Sequence, residues 1–391
     1  MARLVGQDAG MTSSTRILGS SLDDLRSTRS SVKWRLFEPD VLPVWVAEMD
    51  ARPCEAVVDV VTRAIRDGDT GYAWAPPFVD AFTGFADRRW GWRPDPEQAL
   101  LLPDVMIGIE EMLHTLTEPT AAVVVSPPCY DSFHGFVEAV RRRPVHARLD
   151  AAGRLDPETL ARAFADAGPG SAYLLANPAN PTGAAHTRDE LAMLARLADE
   201  HGVLVLSDEI HAPLVRPGVE FTPYLSVPEA ANGIALVSAS KSWNLAGLKA
   251  ALAFPGAGAV DRLASVHEVV THGANHLGVL AQTAAYEHGE PWLDQLLGEI
   301  DDNRDLLGKL LAEHLPGVRL MPADATYLAW LDCSALGLAD PATEFLERGR
   351  VALSAGTRYD PEHGSQWARF NLGTSPEVIE EAVRRMARTV A

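Results

Sequence analysis

Between about Ala56 and Phe254 the chain alternates helical stretches with short runs in which every position is apolar. Ala121–Val125, Ala172–Leu175, Val203–Leu206, Ile234–Val237 and Ala250–Phe254 are runs of this kind, and they predict strands buried on both faces. That order of elements is the signature of helices covering both sides of a mostly parallel sheet. Thr187-Arg-Asp-Glu190 has the spacing of a capping box, which predicts a helix through Leu191-Ala-Met-Leu-Ala-Arg-Leu-Ala with a core-facing stripe.

Further on the pattern changes. A long helical period runs from about Trp292 to His314, Thr326–Asp332 alternates like a half-buried strand, Trp367–Leu372 repeats that alternation, and a last helix is expected over about Pro376–Arg388. With 391 residues the chain exceeds the roughly 250 to 300 that one core usually serves. The division predicted is an N-terminal arm with part of the small domain over 1–54, a large α/β domain over 55–285 and a smaller α+β domain over 286–391. Val44–Asp50 is the stretch expected to join the arm to the small domain.

Composition narrows the function classes. The chain is 47% apolar and 22% charged, and no apolar run approaches the ~20 residues of a membrane span. A net charge of −19, from 34 basic and 53 acidic side chains, argues against binding a phosphate backbone. The basic triplet Arg141-Arg-Arg143 reads as a solvated turn before Pro144. Cys54, Cys129 and Cys333 have neither disulfide-framework nor zinc spacing, which predicts a reducing, cytoplasmic setting without a metal site. The N-terminus lacks a secretion signal, and its first twenty or so residues read as a loose arm.

Three polar motifs follow directly on predicted strands, where open α/β sheets bind their ligands. Asn177-Pro-Ala-Asn180-Pro-Thr-Gly183 is a tight turn, Ser207-Asp208-Glu-Ile-His211 carries an acid, and Ser238-Ala-Ser-Lys241-Ser-Trp-Asn-Leu-Ala-Gly-Leu-Lys249 sets an amine among small residues. An amine able to form an imine and a carboxylate able to keep a ring nitrogen protonated are what a pyridine-aldehyde cofactor needs. Lys241 and Asp208 fit those roles. Asn180 and His211 are candidates for the ring oxygen, and Tyr130 in Ser126-Pro-Pro-Cys-Tyr130 could stack on the ring. For the phosphate, Gly108 and Ile109 at the opening of a helix, with Ser238, Ser240 and Lys249, are the candidates. Asn177 reads as shaping its turn, and Cys129 as packing.

In this order the motifs resemble fold-type I pyridoxal-phosphate enzymes of the aminotransferase class I/II superfamily. Within it they are most similar to the cystathionine β-lyase-like C-S lyases, through Ser31-Val-Lys-Trp34, Val44-Trp-Val-Ala-Glu-Met-Asp50, Gly71-Tyr72, Asp208-Glu-Ile-His211 and Thr326-Tyr-Leu-Ala-Trp330. The resemblance covers about Ser31 to Arg388. It implies pyridoxal 5'-phosphate as cofactor, an amino acid as substrate, and Arg369 as the clamp on its α-carboxylate. It also implies a homodimer in which Tyr72 reaches the neighbouring subunit's phosphate. The expected reaction is β-elimination of a thiol from cystathionine or another cysteine S-conjugate, with amino transfer as the alternative. Glu48, Pro213 and Phe221 depart from the family pattern, and selectivity is expected near Trp74, Phe221 and Trp243.

Overall fold

The structure, a computed structural model, describes residues 16–390. A seven-stranded sheet lies at its centre, in the order Leu100–Leu102, Ala251–Pro255, Ile234–Val237, Leu204–Asp208, Ala172–Ala176, Ala122–Val125 and Arg143–His146. Ala251–Pro255 runs antiparallel to both its neighbours, and the other pairings are parallel. Each predicted strand lies within a residue or two of its expected place. Residues of Ala122–Val125 and Ile234–Val237 are buried throughout, because helices cover both faces. The capping box forms as the spacing predicts: Thr187 Oγ1 accepts from Glu190 N at 3.2 Å and Glu190 Oε2 accepts from Thr187 N at 2.7 Å. It opens the helix Arg188–His201.

Two strands escape a periodicity reading. Leu100–Leu102 is too short to show one. The basic triplet, expected as a surface turn, instead leads into the outer strand Arg143–His146, where Pro144 is tolerated because one side of an edge strand needs no ladder donor. Arg143 there pairs with Asp166 at 2.7 Å.

A four-stranded antiparallel sheet follows, in the order Ser354–Ala355, Trp367–Asn371, Leu328–Asp332 and Arg319–Leu320. The helices Glu290–His314 and Pro376–Val390 accompany it. The N-terminal part joins this layer: Leu42–Pro43 pairs in parallel with Val351–Ala352, and Leu22, Leu25, Leu42 and Val44 share a core with residues between 307 and 386. Of the first twenty or so residues expected to form a loose arm, 1–15 lie outside the described residues, and about 16–20 are corrected. Ile17 and Leu18 are buried, and their amides donate to the Glu299 carboxylate at 2.9 and 2.7 Å. Among the described residues no helix is long and apolar enough to cross a membrane.

Lys33 and Asp50 form an ion pair at 2.7 Å with side chains 0% and 1% exposed. Lys33 also donates to Glu48 O at 3.1 Å, and Trp34 Nε1 donates to Asp50 at 2.8 Å. A pair so enclosed is costly to break, since the remaining charge has no water to turn to. Lys33→Met should lower the unfolding free energy by about 3–5 kcal/mol in chemical denaturation; a loss under about 1 kcal/mol, typical of surface pairs, would contradict this account.

Candidate active site

Asp208 ends a central strand, opposite Ala176 on one side and Leu236 on the other. The turns after those neighbouring strands carry Asn180 and Lys241. All three line one cavity with Tyr130, His211, Ser240 and Lys249. Sheet topology thus brings together residues far apart in sequence, at the carboxyl ends of adjacent strands.

Burial sets the charges here. It pushes the Lys241 amine down to about 8, with the Arg369 guanidinium adding to the effect and Asp208 opposing it. Burial raises the Asp208 carboxyl to about 6, against a hydrogen bond from Ile210 N at 3.1 Å. The His211 ring falls to about 3 through burial and then the Lys241 and Arg369 charges, so it is neutral; its Nδ1 has no hydrogen-bond partner. Behind them, Glu209 accepts from Tyr224 N (2.7 Å), Asn177 Nδ2 (3.1 Å) and Ser207 Oγ (3.1 Å). Asn177 also donates to Thr222 O at 3.0 Å, which fits its expected turn-shaping role.

Arg369 sits on strand Trp367–Asn371 and is 3% exposed. It donates to Asn180 Oδ1 and to Trp45 O, each at 3.0 Å, and its guanidinium lies 4.8 Å from the Tyr359 ring centroid. Its Nε is buried without a partner. With the Asn180 carbonyl oxygen held, that side chain has its NH2 end left to offer a ligand.

The segment 44–50 closes the opposite wall. Asn244, at φ 57°, accepts from Met49 N and donates to Met49 O, both at 2.8 Å. Asparagine is among the few non-glycine residues at ease in that left-handed region. Asn371 Nδ2 lies 2.7 Å from Val46 O and 2.6 Å from Glu48 O. Lys241 Nζ donates to Ala47 O at 3.0 Å.

Several expectations need correction. Gly108 and Ile109 do not open their helix: it begins at Val105 with Asp104 as cap, and the Gly108 amide already donates to Asp104 O at 3.0 Å. A Cβ at Gly108 would lie 2.5 Å from Leu102 Cδ1, so this glycine serves packing on the sheet, and Ile109 is fully buried. Val105 and Met106 line the cavity in their place. Ser238 stands behind the wall, its Oγ 2.8 Å from Ala250 O and 3.0 Å from Gln282 Oε1, where it accepts from Ser240 N at 3.2 Å. Trp243 is buried in the core and donates to Gly289 O at 3.1 Å, and Phe221 packs edge-on to Trp90 at 5.0 Å, so neither borders the cavity. Tyr72 is 91% exposed and Trp74 70%, and neither lines the cavity of its own chain.

Sequence reasoning passed over Asp104, which holds Lys249 at 2.7 Å on the cavity wall, and Gln282, whose amide accepts from Ala239 N at 2.8 Å and donates to Ala250 O at 2.9 Å. Gln282 had a signal: it is a buried amide in an otherwise apolar part of helix His276–His288.

These features fit an aromatic aldehyde carrying a phosphate. An amine whose proton is held more loosely than an ordinary lysine's shares the cavity with a carboxylate, a buried imidazole nitrogen lacks a partner, and a helix start with Lys249 and Ser240 offers an anion site. Such a fold and site define an α/β enzyme with a lysine-centred cavity, and the chain belongs to the aminotransferase class I and II family, whose sequence profile matches residues 74–386. It is 47% identical to a protein of Mycobacterium tuberculosis named "Putative cystathionine beta-lyase", over 95% of this chain and 97% of that one. Cystathionine beta-lyase PatB of Bacillus subtilis is 37% identical, over 91% and 95% of the two chains. A crystal structure from Corynebacterium diphtheriae, described as a "putative plp-dependent beta-cystathionase", superposes with a TM-score of 0.90 at 33% identity, covering 96% of this chain and 99% of that one.

An amine must lose its proton before it attacks an aldehyde, so a Lys241 shifted from 10.5 to about 8 should react at lower pH than an ordinary lysine. The rate at which cofactor-free protein takes up pyridoxal 5'-phosphate, followed by absorbance, should rise with pH and level off above about 8. A rate still climbing through the range of an unperturbed lysine would contradict this placement.

Proposed function

We propose that the protein is a pyridoxal 5'-phosphate-dependent C-S β-lyase that cleaves cystathionine or a related cysteine S-conjugate to a thiol, pyruvate and ammonia. One observation carries the reading: the Lys241 amine, its proton affinity lowered by burial, lines one cavity with Asp208 and Asn180, and Arg369, which pairs with no carboxylate among the described residues, donates to Asn180 Oδ1 at its edge. The names borne by the relatives support sulfur as the leaving atom.

When bound, the cofactor supplies an electron-withdrawing ring that stabilises negative charge at the substrate α-carbon. Asp208 would hold the proton on the ring nitrogen, the Asn180 amide and His211 would serve the ring oxygen, and Tyr130 would cover a ring face. The helix start at Val105 and Met106, with Ser240 and Lys249, would hold the phosphate. Arg369 grips the α-carboxylate, its planar fork fixing the amino acid so that the α-hydrogen points at Lys241. The Lys241 amine removes that proton and becomes ammonium. The Cβ–S bond then breaks, its electron pair leaves with sulfur, and the thiolate takes up a proton as it departs. Hydrolysis of the remaining three-carbon fragment yields pyruvate and ammonia.

The functional unit in this reading is a homodimer in a cytoplasmic setting. Tyr72, Trp74, Ile65 and Val269 are large apolar side chains between 57% and 91% exposed. His276, which opens the helix after the turn that carries Val269, lies 3.2 Å from Asp69 in the loop before Tyr72. A second copy covering this surface would bring Tyr72 to the partner's phosphate end.

Cystathionine should give pyruvate and free thiol with no 2-oxo acid present. Lys241→Ala should lower kcat by roughly a thousandfold or more, and Arg369→Ala should lower kcat/KM by roughly ten- to a hundredfold. Turnover that requires a 2-oxo acid acceptor would replace this reading with amino transfer. Mixing Lys241→Ala subunits with Tyr72→Ala subunits should restore activity, because one site of each mixed dimer then has both native residues. No recovery on subunit exchange would confine Tyr72 to its own chain.

A further inference from the structure

Two donors converge on one backbone oxygen beside the reactive amine. Lys241 Nζ donates to Ala47 O at 3.0 Å, and Tyr327 Oη donates to the same atom, also at 3.0 Å. We propose that Tyr327 is a positioning residue for Lys241: its hydroxyl occupies one lone pair of the Ala47 carbonyl and so leaves the amine a single, directed acceptor. This inference rests on the reading of Lys241 as the group that moves the α-proton.

The phenol is built into place. Tyr327 is 1% exposed and lies edge-on to His211 at 6.0 Å between ring centroids. Burial raises its acidity range well above the ordinary phenol value, so it stays protonated and serves as the donor. The residue before it, Thr326, takes φ 70°, a left-handed conformation that a β-branched side chain adopts under strain. Three contacts hold it there: its amide donates to Leu214 O (2.9 Å), its carbonyl accepts from Arg304 Nη2 (2.9 Å), and its Oγ1 accepts from Leu328 N (3.1 Å). On the far side, Leu372 N donates to Tyr327 O at 2.7 Å. Simple filling of this space would need a phenyl ring and no hydroxyl.

A carbonyl oxygen has two lone pairs. With Tyr327 on one, Lys241 engages through one N–H and keeps its own lone pair free to turn toward a substrate hydrogen. Without Tyr327, both lone pairs become available to the amine, which favours the ammonium form with its three donors. Removing the hydroxyl therefore makes the amine harder to deprotonate.

The test is Tyr327→Phe, read two ways. In the loaded enzyme kcat should fall roughly five- to tenfold, the effect of one neutral hydrogen bond, with KM within about twofold of the parent. In cofactor-free protein the acid limb of pyridoxal 5'-phosphate uptake should move up by roughly half a pH unit. A 3,5-difluorotyrosine at position 327, a stronger donor of nearly the same shape, should move that limb the opposite way, a reversal that packing alone does not produce. An unchanged uptake limb in both variants overturns the proposal, as does a rise in KM with the limb unmoved, which would place Tyr327 on the substrate instead. The uptake measurement needs only the reaction of Lys241 with an aldehyde. A failure of the β-lyase reading would appear as absent elimination in the parent enzyme and would leave this readout intact.

Discussion

The active cavity depends on how one bent stretch of backbone, residues 44–50, is held across the ends of the central strands. Two asparagine amides do this, Asn244 from the lysine-bearing loop and Asn371 from the second sheet, each bonding main-chain atoms. Bonds to backbone fix position without depending on the side chains that the stretch carries. Once held, its carbonyls orient two residues at the cavity: Ala47 O receives Lys241, and Trp45 O receives Arg369. The buried Lys33–Asp50 pair anchors the far end of the same stretch. The Lys241 amine, the Arg369 guanidinium and the arm are thereby parts of one hydrogen-bonded unit.

The second connection between the layers runs through Gly183. Its carbonyl accepts from both Asp324 N and Ala325 N at 2.9 Å, and a Cβ there would lie 2.6 Å from Ala323 Cβ. Its φ of 73° also favours glycine. The turn that presents Asn180 is thus stapled to the approach of strand Leu328–Asp332, whose neighbour Trp367–Asn371 presents Arg369 opposite Trp330. The 3.0 Å contact between Asn180 and Arg369 follows from this double attachment.

Much of this was legible in the sequence because it is local. Fully apolar runs mark buried strands, and a motif just after a strand falls at a ligand edge; Lys241, Asp208, Asn180, His211 and Arg369 converge as expected. Errors arose where spacing within a helix or a loop decides which face a residue shows. Gly108 sits one turn past the helix start and Ser238 one residue behind the wall, shifts of a few ångströms that no motif encodes. Trp243 and Phe221 look like binding aromatics in one dimension, yet they pack against Phe85 and Trp90 in three. Gln282, Asp104 and Tyr327 were passed over because their partners lie 43, 145 and 280 residues away.

Arg369 touches an amide oxygen, a peptide oxygen and an aromatic face, and among the described residues no carboxylate neutralises it. The chain as a whole carries a formal charge of −19. A ligand of net negative charge approaching from solution thus meets repulsion at long range and attraction only near the cavity. Ionic strength acts on these two regions unequally, because mobile ions screen the exposed exterior over about 10 Å at 0.1 M while reaching the enclosed guanidinium poorly. Added salt would then quicken entry of such a ligand while leaving its final grip little altered, the reverse of the behaviour of a site that recruits its ligand by surface charge.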